Sequence, residues 1–112
     1  MERSVDIRLG EFEQLVLLAL VHLGEEAYGV AVQAEITRRT GRQTSFGTVY
    51  TTLARLEGKG LISSRLADPT PERGGRRKRY FLVTASGRRA LRASLRAIRT
   101  MTRGLDASWD TP

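Results

Sequence analysis

Gly41-Arg42-Gln43-Thr44-Ser45-Phe46-Gly47-Thr48-Val49-Tyr50-Thr51-Thr52-Leu53-Ala54-Arg55-Leu56-Glu57-Gly58-Lys59-Gly60 is the stretch on which the reading of this chain turns. Ser45 suits an N-cap, because its hydroxyl oxygen can accept from a free N–H of a first helical turn. Behind it Phe46, Val49, Tyr50, Leu53 and Leu56 recur at helical spacing and draw a single apolar stripe that ends at Gly58-Lys59-Gly60. With Phe46 at the origin and about 100° per residue, the stripe lies within about 80° on either side. The opposite face carries Gly47, Thr48, Thr51, Thr52, Arg55 and Lys59. A polar stripe is ordinarily a solvated face. Small hydroxyls beside an arginine are also what a major groove accepts, since threonine methyls meet thymine methyls and a guanidinium grips a guanine edge.

Upstream, a helix is expected from about Tyr28 to Thr40, with Val32 and Ile36 one turn apart and Gly41 closing it. Only residues 41–45 separate it from the next helix, so the pair reads as a helix-turn-helix. Before it, Leu9, Phe12, Leu15, Val16, Leu18, Ala19, Leu20 and Leu23 describe a helix apolar nearly all round and therefore largely buried, with His22 packed inside it. Glu11 and Glu13 sit where the helix dipole favours an acid, and Gly24 stops the helix. Downstream, Leu61–Leu66 and Arg79–Val83 read as strands joined by a long loop rich in Pro and Gly. Thr84 then caps a closing helix from Ala85 to about Arg103, in which Leu91, Leu95, Ile98, Thr102 and Leu105 follow the 4-3-4-3 spacing of a coiled-coil seam.

The predicted fold is therefore mainly α with a small β-hairpin, a winged helix-turn-helix plus a C-terminal dimerisation helix. Residues 1–8 form a flexible arm, 9–83 the winged helix-turn-helix, 84–105 the dimerisation helix and 106–112 a tail, polar apart from Trp109.

Composition narrows the function. The chain has 112 residues, 28% of them charged, with a formal net charge of +7, which points to a polyanionic partner. There is no cysteine and one histidine, which removes disulfides, thiolate metal sites, thiol nucleophiles and histidine metal clusters. No metal or cofactor is expected. An enzyme is not expected either: His22 has no nucleophile near it in sequence, and Gly58-Lys59 has Leu53 where a phosphate-binding loop needs glycine. The run Leu15–Val21 is too short to span a bilayer and follows acids rather than a basic start, so a cytoplasmic protein without a membrane partner is expected.

Within the hairpin loop, Arg73-Gly74-Gly75-Arg76-Arg77-Lys78-Arg79 places five cations in seven residues. Glycines allow backbone N–H groups close to a phosphate, and the cations replace its counterions. A solubilising loop would have less reason to hold one sign of charge so densely.

Five segments together resemble the PadR family of transcriptional regulators. They are Leu9-Gly10-Glu11-Phe12-Glu13, Ala27-Tyr28-Gly29-Val30, Gly47-Thr48-Val49-Tyr50-Thr51-Thr52-Leu53, Arg55-Leu56-Glu57-Gly58-Lys59-Gly60-Leu61-Ile62 and Gly74-Gly75-Arg76-Arg77-Lys78-Arg79-Tyr80. The single closing helix resembles the shorter subgroup. The resemblance implies a homodimeric DNA-binding repressor whose last helix pairs subunits and whose third helix enters the major groove. It also implies phosphate neighbours for the tyrosines that match Tyr28 and Tyr50, whereas Val30 stands where many members carry a second aromatic. From its place on the apolar stripe, Tyr50 is equally a core residue with its hydroxyl at the rim.

The expected partners are double-stranded DNA and a second copy of the chain. Base-reading candidates are Thr48, Thr51, Thr52 and Arg55, the last also a possible partner for Glu57. Phosphate candidates are Tyr28, Gln43, Ser45, Tyr50, Lys59, Arg73, Arg76, Arg77 and Lys78, and the dimerisation seam is Leu91, Leu95, Ile98, Thr102 and Leu105. Trp109 either lines a small-molecule effector pocket or packs as part of the tail. Two other readings explain the charge: an RNA-binding domain, which would want exposed stacking aromatics, and a membrane-surface protein using Arg88, Arg89, Arg92, Arg96, Arg99 and Arg103.

Overall fold

The backbone N–H of Gly10 donates to Glu13 Oε1 at 2.9 Å, and this bond starts the first helix two residues later than the apolar pattern suggests. In the computed structural model, which describes residues 8–67 and 77–111, the order is α1 (Glu11–Leu23), α2 (Gly29–Thr40), α3 (Phe46–Gly58), β1 (Ile62–Leu66), β2 (Arg79–Val83) and α4 (Ala85–Thr102). Residues 1–7 of the expected arm, and 68–76 of the loop, lie outside the described residues. Among the described residues no helix is long and apolar enough to cross a membrane.

α1 packs against α2, α3, α4 and β2. Its buried face is Glu13, Val16, Leu17, Ala19 and Leu20. The expectation of a helix buried nearly all round is corrected here. Val21 is exposed, and so is His22, which lies about 150° or more from the centre of the buried face and is not a packed histidine. Leu17, Leu53, Leu56, Leu61, Val16, Val32 and Val49 form the fully buried centre, where each large aliphatic side chain contributes about 1.5–3 kcal/mol by leaving water.

β1 and β2 pair antiparallel in the register Ile62↔Val83, Ser64↔Phe81 and Leu66↔Arg79. The alternation puts Ile62, Phe81 and Val83 inward and leaves Leu82 in solvent. β2 is held on its other edge too: Phe81 N donates to Ala27 O at 2.8 Å, and Tyr28 bridges Tyr80. The hairpin is thereby fastened to the entry of α2.

The junction of hairpin and closing helix is the tightest place in the fold. Thr84 caps α4, its hydroxyl accepting from Gly87 N at 3.0 Å and donating to Gly60 O at 2.8 Å. Thr84 N donates to Leu61 O at 3.0 Å. A Cβ on Gly87 would lie 2.0 Å from that same Leu61 carbonyl oxygen and 2.8 Å from Val83 Cγ1, so only glycine lets α4 start here. After α4, Asp106 caps a short 3₁₀ turn, Ala107–Asp110, in the expected polar tail.

Gly87→Ala is expected to lower unfolding free energy by about 1–3 kcal/mol, since backbone must move to admit the methyl. Gly58→Ala, at a helical position with nothing within 4 Å of the added carbon, is expected to raise it by about 0.5–1 kcal/mol. Urea unfolding of both variants beside the parent checks the pair. A tolerated alanine at position 87 would contradict the packing described.

Candidate nucleic acid interface

Ser45 caps α3 as its residue type suggests: Oγ accepts from Thr48 N at 3.0 Å and donates to Thr48 Oγ1 at 2.9 Å. The helix is rotated from the sequence-based expectation. Its buried positions are Val49, Thr52, Leu53 and Leu56, whose mean direction lies about 70° from Phe46. The rotation has two consequences. Thr52, expected to read bases, is 4% exposed and donates its hydroxyl to Thr48 O at 2.9 Å, so it is a core residue instead. Phe46 and Tyr50, expected in the apolar stripe, are 42% and 45% exposed and stack on each other with centroids 5.5 Å apart.

The solvent face of α3 then consists of Gly47, Thr48, Thr51, Ala54 and Arg55, with the Phe46–Tyr50 stack along one edge. Thr48 keeps a free hydroxyl hydrogen beyond its bond from Ser45. Arg55 makes no ion pair among the described residues. The alternative partner, Glu57, is taken by Ser64 Oγ at 2.7 Å, which itself accepts from Arg79 Nη1 at 2.9 Å. Arg55 therefore presents its guanidinium to solvent.

Two acids in the first turn of α1 hold the ends of α3. Arg42, in the turn before the helix, donates to both carboxylate oxygens of Glu11 at 3.0 Å. Lys59, at the C-cap, donates to Glu13 Oε2 at 2.9 Å. Lys59, a phosphate candidate by residue type, gives one of its ammonium protons to a nearly buried acid. Burial pushes the Glu13 carboxyl up. The bonds from Lys59 and Gly10, with the charges of Lys59 and Arg55, outweigh that and hold it below the ordinary glutamate value. The turn is further pinned by Gln33 Nε2 on Thr44 O at 2.7 Å and Thr37 Oγ1 on Arg42 O at 3.0 Å, which leaves Gln43 exposed at its tip. Nothing in the sequence pattern marks the Arg42 and Lys59 pairings, because each joins segments distant along the chain.

Beside α3 the hairpin brings an aromatic and cationic cluster. Tyr28 meets Tyr80 edge to face at 5.6 Å, Tyr50 meets Phe81 at 6.5 Å, and Lys78 Nζ sits 4.3 Å over the Tyr28 ring. Arg65 lies 5.0 Å over the Tyr80 ring. A Cβ at Gly29 would come within 2.9 Å of Phe46, so glycine there permits this closeness. Of the wing candidates, Arg77 and Lys78 are exposed at the foot of β2, and Arg73 and Arg76 lie outside the described residues. Tyr28, Tyr50 and Lys78 are thus gathered next to the α3 face, with Ser45 and Gln43 at its N-terminal end.

The seam on α4 divides in two. Leu91 is buried and Leu95 half-buried against the chain's own core, so the domain covers part of the seam. Ile98 is exposed, together with Met101, which the seam spacing passes over; Leu105, expected on the same helix, is exposed beyond its end, because α4 stops at Thr102 and Gly104 turns the chain at φ +88. Thr102 is exposed, and its hydroxyl donates to Arg99 O. Trp109 is exposed on the 3₁₀ turn. Among the described residues no group of three or more potential ligands could hold a metal ion.

The chain is similar to known proteins in sequence and in fold. The model of the transcriptional regulator PadR-like family matches residues 17–93. The chain is 36% identical over 98 residues to the transcriptional regulator Rv3488 of Mycobacterium tuberculosis, covering 83% of this chain and 85% of that protein. It is similar in structure to a PadR family transcriptional regulator from Eggerthella lenta, at a TM-score of 0.65, with 28% identity and 91% and 88% of the two chains covered. The fold is shared with the transcriptional regulator TA0346 of Thermoplasma acidophilum, at a TM-score of 0.69, with 18% identity and 90% and 93% covered.

Because folding lowers the Glu13 pKa, its contribution is present above the unfolded carboxylate value and is lost as pH falls through the native one. Glu13→Gln is expected to cost about 1 kcal/mol near neutral pH and progressively less on acidification. Urea midpoints of parent and variant across pH check this, and a gap that does not narrow in acid would contradict the ion pair.

Proposed function

Because the chain belongs to the PadR-like family of transcriptional regulators, we propose that it is a sequence-specific, double-stranded DNA-binding repressor that acts as a homodimer on an inverted-repeat operator. The observation that carries the reading is the solvent face of α3: Thr48, Thr51 and an Arg55 that forms no ion pair among the described residues, on a helix capped at its N-terminus and held at both ends by α1. Thr48 and Thr51 meet thymine methyls and Arg55 a guanine edge, near the helix N-terminus where bases are usually contacted. Tyr28, Gln43, Ser45, Tyr50, Arg77 and Lys78, with Arg73 and Arg76 of the loop, position the helix through phosphates rather than read sequence.

Dimerisation explains the open half of the α4 seam. Ile98 and Met101 are exposed apolar residues of α4 that the chain's own domain does not cover, and a second copy of the same helix is their natural complement. Two recognition helices so related reach successive major grooves about 34 Å apart, which makes the site an inverted repeat.

Selection of bound sequences from random duplex DNA is expected to return an inverted repeat, and absence of enrichment would overturn the reading. Arg55→Ala is expected to weaken operator binding by about 1–3 kcal/mol and to relax preference at one base position per half-site. Profiles over all single-base operator variants check this, because a uniform shift would assign Arg55 to the backbone. Replacing Ile98 and Met101 with Glu is expected to give folded monomers in sedimentation with severely weakened operator binding. Unchanged sedimentation would place the dimer contact elsewhere.

A further inference from the structure

The formal net charge of the chain is +7, and residues 85–103 alone hold six arginines and no acid, so the rest of the sequence is within one charge of neutral. The net excess therefore lies in α4 and its C-cap, the wing cations being matched in number by acids spread along the rest of the chain. All six arginines are exposed. None forms an ion pair among the described residues, and there the one hydrogen bond from their guanidinium groups runs from Arg89 to Ser86 Oγ.

Their placement is regular. At about 100° per residue, Arg88, Arg89, Arg92, Arg96, Arg99 and Arg103 fall within an arc of about 100°, a single row about 22 Å long. Arg88 with Arg92, Arg92 with Arg96, and Arg99 with Arg103 are like-charge i,i+4 neighbours, an arrangement that opposes the helix carrying it. Arg88 and Arg89 also crowd the positive end of the helix dipole. A row that repels itself in the free protein is relieved by a polyanion, and a guanidinium fork matches phosphate geometry as an ammonium does not.

We propose that the arginine row of α4 is a second, sequence-independent site for the phosphate backbone of duplex DNA, separate from the face of α3. The row is straight and carries no aromatic on which the bases of a single strand would stack. A membrane would have to take the apolar side of the same helix, but Leu91 on that side is buried in the domain core and does not release it. α4 packs on α1 and β2, while α3 packs on α1, α2 and β1, so apart from α1 the two helices rest on different elements. A dimer seated on one duplex by α3 then holds a second duplex by α4 and bridges them. The site goes beyond the operator reading and depends on it only for the identity of the first duplex.

The test uses the full chain with an operator duplex fixed to beads and a labelled random-sequence duplex in solution. The parent is expected to retain the labelled duplex, and the triple variant Arg92→Gln, Arg96→Gln, Arg99→Gln to release it. Operator binding should stay within about twofold and sedimentation should not change, while the corresponding triple Lys variant should retain capture. On random duplex alone, the Gln variant should flatten the log K against log salt slope by roughly two to three units. An unchanged slope with undiminished capture would overturn the proposal, as would capture by anionic phospholipid vesicles or single-stranded RNA in preference to duplex. If selection returns no operator, the operator reading fails by itself, and the slope on random duplex still decides whether the row binds DNA.

Discussion

α1 carries more apolar surface than any one neighbour can cover, and that constraint organises the molecule. Leu17 and Val16 are buried completely, and the helix packs on α2, α3, α4 and β2, so most of the fold is the set of elements required to keep α1 from water. The same helix presents Glu11 and Glu13 in its first turn. Because α1 is central, those two acids reach Arg42 before α3 and Lys59 after it. The element that builds the core is thus also the one that sets the position of α3.

Placing α3 decides which of its residues do chemistry. A helix held by a core at Val49, Leu53 and Leu56 must bury whatever lies between those positions on its circumference, and Thr52 does. Its hydroxyl finds a partner in the Thr48 carbonyl, which makes a polar side chain acceptable there. By the same rotation Phe46 and Tyr50 come to the surface, where they stack on each other and continue into Phe81, Tyr28 and Tyr80 of the hairpin side. The hairpin sits beside α3 because β2 is hydrogen-bonded to the chain at Ala27 as well as to β1.

Charge is divided in this protein in a way that its total conceals. Near α3, Arg42 is paired with Glu11 and Lys59 with Glu13, while Arg55 forms no ion pair among the described residues. The arginines of α4 form no ion pair among the described residues. A solvated row of one sign is a surface looking outward, and the self-repulsion along the helix shows that internal packing did not select it.

Much of this was determined by the sequence itself. The helix-turn-helix, the Ser45 and Thr84 caps, the limits of β2 and the family resemblance all follow from spacing and residue type, because caps, turns and apolar periods are local relations along the chain. The outward-facing Thr48, Thr51 and Arg55 were legible for the same reason. Only the tertiary structure decided the rotation of α3, the burial of Thr52, the capture of Lys59 by Glu13 and the exposure of His22. It also divided the α4 seam into a half spent on the domain and a half left open. A period identifies a stripe but not the direction in which neighbours press on it. An ion pair between residues 46 positions apart exists only once the chain has folded around α1.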